Sequence, residues 1–208
     1  MLVHVLVLGR FHRYFPSKPE TLARALQTIC IVPPPPSQSV PALGIHPSVR
    51  HVRSTDREAV CEVARLTYAE TYEEGWFELM LQRIRERPWE RAMWVGSVGG
   101  EVVGIGLACH YRGDREQPVH PAPAGWYLLG LGVSPDYRRL GVATALTQAR
   151  LDWMRSRGAT SAYYFQDADN AASLRAHEGF GFRRREGRVI FPGTDRTWDL
   201  LLHAPLES

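Results

Sequence analysis

Apolar residues recur along this chain with two different periods, and the changes between them predict the order of its elements. Short alternating or continuous apolar runs predict strands at residues 51–53, 92–98, 102–109, 126–133, 161–166, 180–184, 188–191 and 197–203. The pair Gly99-Gly100 predicts a hairpin between the second and third of these strands.

Helical spacing fills the intervals between several of these strands. Thr55 and Glu58 form a capping-box pattern that predicts a first helix, and a second helix runs through Phe77 and Ile84. A third helix ends at Arg157, and a short fourth one begins at Asp169 or Asn170. This order predicts an α/β fold with a mixed, mostly antiparallel sheet and helices on both faces.

Residues 1–47 differ in composition from the rest of the chain. Four consecutive prolines, Pro33–Pro36, lie in a proline-rich stretch that favours a stiff polyproline linker. We therefore expect an N-terminal extension at residues 1–47 and one domain at residues 48–208. An alternative role for the extension is packing against a second subunit, which would give a homodimer.

Charge and cysteine content narrow the class of protein. Residues 1–50 hold five basic residues and one acidic residue, and the rest is close to neutral, so nucleic acid is not an expected partner. No apolar run is long enough for a membrane helix, and the N-terminus lacks a signal-peptide pattern. The three cysteines show no CxxC spacing, which favours a reduced, cytoplasmic setting without a metal site.

The segment with the clearest chemistry runs from Leu131 to Thr144. A buried strand leads through a proline turn into a basic, glycine-containing loop that opens a helix. A helix start presents unpaired N–H groups and the positive end of the dipole, which together suit a pyrophosphate. Gly141 and Ala143 allow close approach to the backbone, and Arg138 and Arg139 add charge.

Two familiar phosphate-binding patterns do not fit this segment. The P-loop needs a lysine, and the chain has none after Lys18. A dinucleotide fingerprint beginning at Gly130 fails because Pro135 stands where its third glycine belongs. The residues alone leave two readings open, an anion site and an ordinary strand-turn-helix with solvated arginines.

The pattern Val133-x-Pro-x-x-Arg138-x-x-Gly141-x-Ala143 resembles the acetyl-CoA signature of the GNAT acetyltransferase superfamily. A second segment, from Asn170 through Ser173 and His177 to Phe182, resembles another element of that family and begins 29 residues after Gly141. The likeness covers about residues 50–203, and the second segment is weakly similar to aminoglycoside-type N-acetyltransferases. It implies acetyl-CoA as cosubstrate, with contacts from Leu131, Gly132, Val133, Arg138, Arg139, Leu140, Gly141, Val142, Ala143, Thr144, Asn170 and Ser173.

The catalytic groups are less defined than the cofactor site. The resemblance implies that His177 protonates the leaving thiolate, whereas its alternative role is a structural histidine at a helix end. Many relatives carry a glutamate near the position of Leu129, and this strand has no carboxylate. The remaining candidates for the base are water and four acidic residues, namely Glu73, Glu74, Asp114 and Glu116.

The acceptor is expected to be a primary amine of a small molecule. Glu73 and Glu74 could bind a cationic amine, and Trp76, Trp126 and Tyr127 could form an aromatic wall. A second hypothesis is a protein N-terminal or lysine acetyltransferase. A third is a non-catalytic acyl-CoA sensor or interaction module, which the missing strand carboxylate favours.

Overall fold

The elements follow the order that the apolar pattern predicts, except that the last three predicted strands are two and that the first strand lies at Ser48–His51 instead of 51–53. A computed structural model describes residues 46–68, 74–113, 122–190 and 197–206. The elements are β1 (Ser48–His51), α1 (Arg57–Tyr68), α2 (Trp76–Glu86), β2 (Arg91–Val98), β3 (Glu101–Tyr111), β4 (Gly125–Val133), α3 (Val142–Arg155), β5 (Ser161–Gln166), α4 (Ala171–Glu178), β6 (Arg183–Ile190) and β7 (Thr197–Pro205). Short 3-10 turns at Ser54–Asp56 and Pro135–Tyr137 precede α1 and α3.

The described strands form one sheet with the order β1-β2-β3-β4-β5-β7-β6. Every neighbouring pair is antiparallel except β4 and β5, which are parallel. Side chains alternate between faces, so Trp94 packs in the core with α3 whereas Val95 packs in the core with α1 and α2. The predicted fold class, a mixed and mostly antiparallel sheet with helices on both faces, is confirmed.

Some local predictions differ from the structure. The turn before α1 is capped by Asp56, which accepts hydrogen bonds from the Arg53 N–H at 2.7 Å and from the Arg50 guanidinium, rather than by a Thr55–Glu58 box. Residues 180–184 and 188–191 do not form two strands, because a bulge lets β6 continue through this region. Most of the predicted extension, residues 1–45, lies outside the described residues, so its boundary stays a prediction.

The feature that positions the site is an opening between β4 and β5. These strands pair only through Trp126 with Ala162 and Tyr127 with Tyr163, although both strands continue further. A bulge at Gly130 shifts the β3–β4 register, and bulges bend the strand that carries them. We call the gap between residues 128–133 of β4 and 164–166 of β5 the β4–β5 opening.

Candidate functional site

The loop at residues 138–144 leads directly into the first turn of α3. Gly141 is the N-cap residue with φ of +81°, a left-handed conformation that disfavours residues with a side chain. The first intrahelical bond runs from the Ala145 N–H to the Gly141 carbonyl at 2.9 Å. Helix geometry therefore leaves the four N–H groups of residues 141–144 available to an anion.

The side chains of this loop divide into exposed and buried ones. Arg138, Arg139 and Thr144 are exposed, Ala143 is half-buried, and Leu140 is one of the exposed large apolar residues. The first turn of α3 holds no acidic residue. The loop thus presents positive charge and backbone donors together, as a pyrophosphate requires.

Val142 differs from the rest of the loop because its side chain belongs to the core. A Cβ at Gly96 or Gly104 would lie only 2.8 Å from Val142 Cγ1, so these glycines let the start of α3 approach the sheet closely. Val142 can therefore contribute to anion binding through its N–H and not through its side chain.

The β4 side of the opening is formed by Leu131, Gly132 and Val133. Each pairs with β3 along one strand edge, at Gly106, Ile105 and Gly104 respectively. In the described part of the chain their other edge has no pairing with β5. A strand edge of this kind can pair with an extended ligand through backbone hydrogen bonds.

The β5 side contains two buried polar groups that sequence reasoning missed. Gln166 is 3% exposed and Tyr164 is 4% exposed. Within the described residues, neither the Gln166 amide nitrogen and oxygen nor the Tyr164 hydroxyl has a hydrogen-bond partner. They stand two residues apart and so lie on one face of β5.

Buried polar groups without partners are uncommon and call for an explanation. A ligand that carries both an N–H and a carbonyl oxygen would satisfy the Gln166 amide, and the pantetheine arm of CoA has two such amide groups. The residues present at the β4–β5 opening therefore fit acetyl-CoA. The only sequence signal was a glutamine at the end of the apolar run 161–166.

Asn170 and Ser173 lie at the first turn of α4. The Asn170 Oδ1 accepts a hydrogen bond from the Ser173 N–H at 3.0 Å, so Asn170 is the N-cap of this helix. That contact orients the Asn170 side chain just beyond the end of β5, next to the opening.

His177 is buried in the last turn of α4. Its ring stacks on Tyr164 at 4.2 Å and meets Phe182 edge-on, while Nδ1 lies 2.8 Å from the Ser173 carbonyl oxygen. A carbonyl only accepts, so Nδ1 carries the hydrogen and Nε2 of the neutral ring is an acceptor. Desolvation, with a smaller contribution from the positive charge of Arg150, lowers the pKa of His177 to about 4.

This geometry does not favour the acid role expected for His177. A neutral ring whose Nε2 lacks a proton has none to give to a thiolate at neutral pH. The packing role, in which His177 holds the Tyr164 ring against α4, agrees with its contacts.

The expected acceptor residues do not share one surface. Tyr127 is fully buried and donates to the Pro123 carbonyl, Trp76 packs with α1, and Trp126 packs with Trp153 of α3. These placements do not support a common aromatic wall, and Tyr127 is a core residue. Glu74 is exposed just before α2. Three other acidic candidates, Glu73, Asp114 and Glu116, lie outside the described residues.

A small recess adjoins β4 at Leu129, on the side of the sheet that α2 covers. Its lining is largely apolar, including Met80 and Ile84, and also contains Arg83 and Arg91. No carboxylate lines it within the described residues. Leu129 thus borders a recess of about 10 Å³, which has room for about one water molecule.

A nucleophilic cysteine, a metal site and a membrane-spanning helix are three further features that the described residues could provide. Burial raises the pKa of the Cys109 thiol to about 12, so it is not a nucleophile, and the His110 ring packs against Trp126 with the two ring planes tilted by 44°. No cluster of three or more metal-ligating side chains occurs there. Nor does any helix in these ranges have the length and apolar character needed to cross a bilayer.

Two curated proteins are similar in sequence to parts of this chain. Mycothiol acetyltransferase from Renibacterium salmoninarum is 26% identical over 145 residues, which cover 67% of this chain and 41% of that protein. N-alpha-acetyltransferase 30 from Schizosaccharomyces pombe is 41% identical over 71 residues, which cover 33% of this chain and 47% of that protein. The matched segment therefore spans less than half the length of either relative.

A solved structure shares the fold. The complex of AAC(6')-Iy with a bisubstrate analogue, CoA-S-monomethyl-acetylneamine, has a TM-score of 0.59 and 21% identity, and the match covers 73% of this chain and 99% of that one. The family model described as "Acetyltransferase (GNAT) family" matches residues 57–182, more than half of the chain. That range contains both sequence motifs and every element around the β4–β5 opening, and the chain therefore belongs to the acetyltransferase (GNAT) family.

Proposed function

We propose that this protein transfers the acetyl group of acetyl-CoA to a primary amine of a small molecule. The observation that carries the proposal is the β4–β5 opening, which has a helix N-terminus at one end and a strand bulge at the other. In this proposal the pyrophosphate binds the N–H groups of residues 141–144, with Arg138 and Arg139 beside it. The pantetheine arm then lies between the edge of β4 that does not pair with β5 and the buried amide of Gln166.

The reaction is a direct attack within a ternary complex. The neutral amine nitrogen forms a bond to the acetyl carbon, the carbon–sulfur bond breaks, and the sulfur leaves as a thiolate that takes up a proton. The amine gives up one proton in the same sequence. Holding both substrates in line replaces a bimolecular encounter, and a backbone N–H of β4 at the opening stabilises the developing oxyanion.

Proton removal from the acceptor does not use a carboxylate on β4. Leu129 occupies that position, and His177 is turned towards Ser173. We propose that the proton of the acceptor amine passes to water or to an acidic residue in the adjoining loops. Glu74 is the candidate among the residues that the structure describes. The rate is then expected to rise with pH until the acceptor amine is largely neutral.

The recess beside Leu129 does not define the acceptor, because its volume of about 10 Å³ holds only about one water molecule. It is small and mostly apolar, with two arginines and no carboxylate among its described lining residues. A small-molecule acceptor is supported instead by the similarity to a protein named mycothiol acetyltransferase.

A second candidate function is acetylation of a protein N-terminus. It is supported by the similarity to a protein named N-alpha-acetyltransferase 30. A peptide acceptor would need an open groove beside the β4–β5 opening.

One experiment separates these functions. The purified protein is incubated with acetyl-CoA and an amine panel comprising simple amines, amino acids, an aminoglycoside and short peptides, while free thiol is measured and products are identified by mass spectrometry. We expect thiol release with at least one of the small primary amines. Turnover confined to peptides would support the second function. Tight CoA binding without thiol release from any amine would contradict both and favour a non-catalytic CoA-binding module.

A further inference from the structure

Arg150 is the largest fully buried side chain among the described residues. It lies in the middle of α3, and its guanidinium donates to four oxygens: the carbonyls of Leu146 at 3.1 Å, Leu107 at 3.2 Å and Leu129 at 3.2 Å, and Thr147 Oγ1 at 2.9 Å. All four acceptors are neutral, and none of the ion pairs within the described residues involves Arg150.

A buried cation without an anionic partner is unfavourable for folding alone. Leucine or methionine would fill the same space without the desolvation penalty of a charge. Burial lowers the pKa of Arg150 to about 10, which still leaves the guanidinium protonated at neutral pH. The positive charge of Arg150 therefore indicates a role in activity and not in stability.

The position of Arg150 is specific to the bulge of β4. Leu107 of β3 pairs with Leu129 of β4, which is the residue before Gly130. One nitrogen of Arg150, Nη1, donates hydrogen bonds to the carbonyls of both leucines. Gly106 makes room for this contact, because a Cβ there would lie 3.2 Å from Arg150 Nε. Arg150 thus holds the two strands together where β4 begins to diverge from β5.

Two consequences follow for the strand that presents the acetyl group. A peptide group is planar, so holding the Leu129 carbonyl also fixes the direction of the Gly130 N–H. The charge lies directly behind this peptide, in a region of low dielectric where charge interactions are weakly screened. The titratable groups that face Arg150 are Tyr68 on α1 and His177 on α4, and burial keeps both neutral near pH 7.

We propose that Arg150 is a positioning residue for acetyl transfer: it holds the bulge of β4 in the geometry that presents the thioester, and its charge favours the anionic oxygen that develops there. This inference rests on the proposed N-acetyltransferase function. It predicts a larger effect on turnover than on CoA binding, because the interaction strengthens as negative charge develops.

The test compares substitutions that separate charge from geometry. Arg150→Met removes both, and Arg150→Lys keeps the charge but cannot bridge both carbonyls and Thr147. Arg157→Met is the matched control, because Arg157 lies just beyond the same helix and stacks on Trp153. For each variant kcat and KM are measured across pH with an amine that the wild-type protein acetylates, together with CoA affinity and Tm.

We expect Arg150→Met to lower kcat about 10- to 100-fold while CoA affinity changes less than about 3-fold. Arg150→Lys should recover part of the loss, and Arg157→Met should leave kcat unchanged. In Arg150→Met the NMR titration of His177 should move to higher pH, because a neighbouring positive charge has been removed. A change in packing alone does not predict that direction.

A folded Arg150→Met protein with wild-type kcat would overturn the inference, as would equal losses in Arg150→Met and Arg157→Met. If Arg150→Met does not fold, Gly106→Ala provides the test, because its Cβ displaces the guanidinium without removing the charge, and kcat should again fall at unchanged CoA affinity. Wild-type protein that releases no thiol with any amine would contradict the proposed function itself, which separates the two failures.

Discussion

Alanine at Gly141 tests whether the loop at residues 138–144 binds the pyrophosphate of CoA. Gly141 has φ of +81°, and a Cβ there would meet only Pro47 Cγ, at 3.8 Å. Gly158, just beyond the other end of α3, has φ of +76° with nothing within 4 Å of an added Cβ. The two positions therefore impose the same backbone strain on alanine, and neither creates a clash.

The expected magnitudes differ for stability and for binding. A left-handed alanine costs about 1–2 kcal/mol, so each variant should lose roughly 2–8 °C in Tm for a chain of this size. If the loop relaxes to relieve this strain, one N–H to pyrophosphate contact is lost. A hydrogen bond to a charged group contributes about 1.5–3 kcal/mol, which corresponds to a roughly 10- to 150-fold weaker Kd.

The assay is isothermal titration calorimetry of CoA binding, combined with thermal denaturation without ligand. Gly141→Ala should bind CoA at least about 10-fold more weakly than Gly158→Ala, although both unfold at similarly reduced temperatures. Equal CoA affinity in the two variants, with equal losses in Tm, would refute the assignment of the pyrophosphate to this loop.

Three further substitutions address Gln166, His177 and Asp56. Gln166→Leu should weaken CoA binding about 3- to 10-fold while Tm without ligand stays equal or rises, since a buried amide without a partner is removed. Gln148→Leu on the surface of α3 is the control. A Kd for CoA that is unchanged in Gln166→Leu would contradict the contact between Gln166 and CoA. In His177→Phe the pH profile of kcat should keep the wild-type shape, and a fall of wild-type kcat at alkaline pH that disappears in the variant would restore the acid role. Because the folded pKa of His177, about 4, lies below its unfolded value of about 6.5, the unfolded state gains the proton first. Wild-type stability should therefore fall as pH drops from about 6.5 to 4, and urea denaturation of His177→Phe should show a smaller fall. The hydrogen bond from Arg50 holds the pKa of Asp56 below its ordinary value, so its contribution is present above about pH 4 and is lost as pH falls through the folded pKa. Asp56→Asn should cost about 1–3 kcal/mol at pH 7, and a cost that persisted undiminished at pH 2 would argue against an ionic origin.

Most of the order of elements and the loop that opens α3 could be predicted from the sequence because their signals are local. Strand and helix periods, the Gly99-Gly100 turn and the Asn170 cap depend on neighbouring residues, and all four agree with the structure. The helix start at Gly141 is likewise a local feature, since its N–H groups are unpaired in any fold that contains it. The boundaries near residues 51–58 and 180–191 were less predictable, because pairing with distant strands determines them.

The chemistry of the buried side chains was decided by tertiary structure. In the sequence, Arg150 is one more arginine on a helix, yet it follows Leu146 by one turn and so turns towards the sheet. Gln166 ends an apolar strand and gains significance only because β5 separates from β4 before it. His177 carries a family motif, but its tautomer and its pKa follow from Ser173, Tyr164 and burial.

The sequence by itself thus determined the helix start at Gly141, where we propose that the pyrophosphate binds, because a helix start and its glycine are encoded within a few residues. Only the tertiary structure decided which buried groups face that site and in which charge state. Burial, partners and local dielectric arise from contacts between segments that are far apart in the chain, as the bonds from Arg150 to Leu107 and Leu129 illustrate.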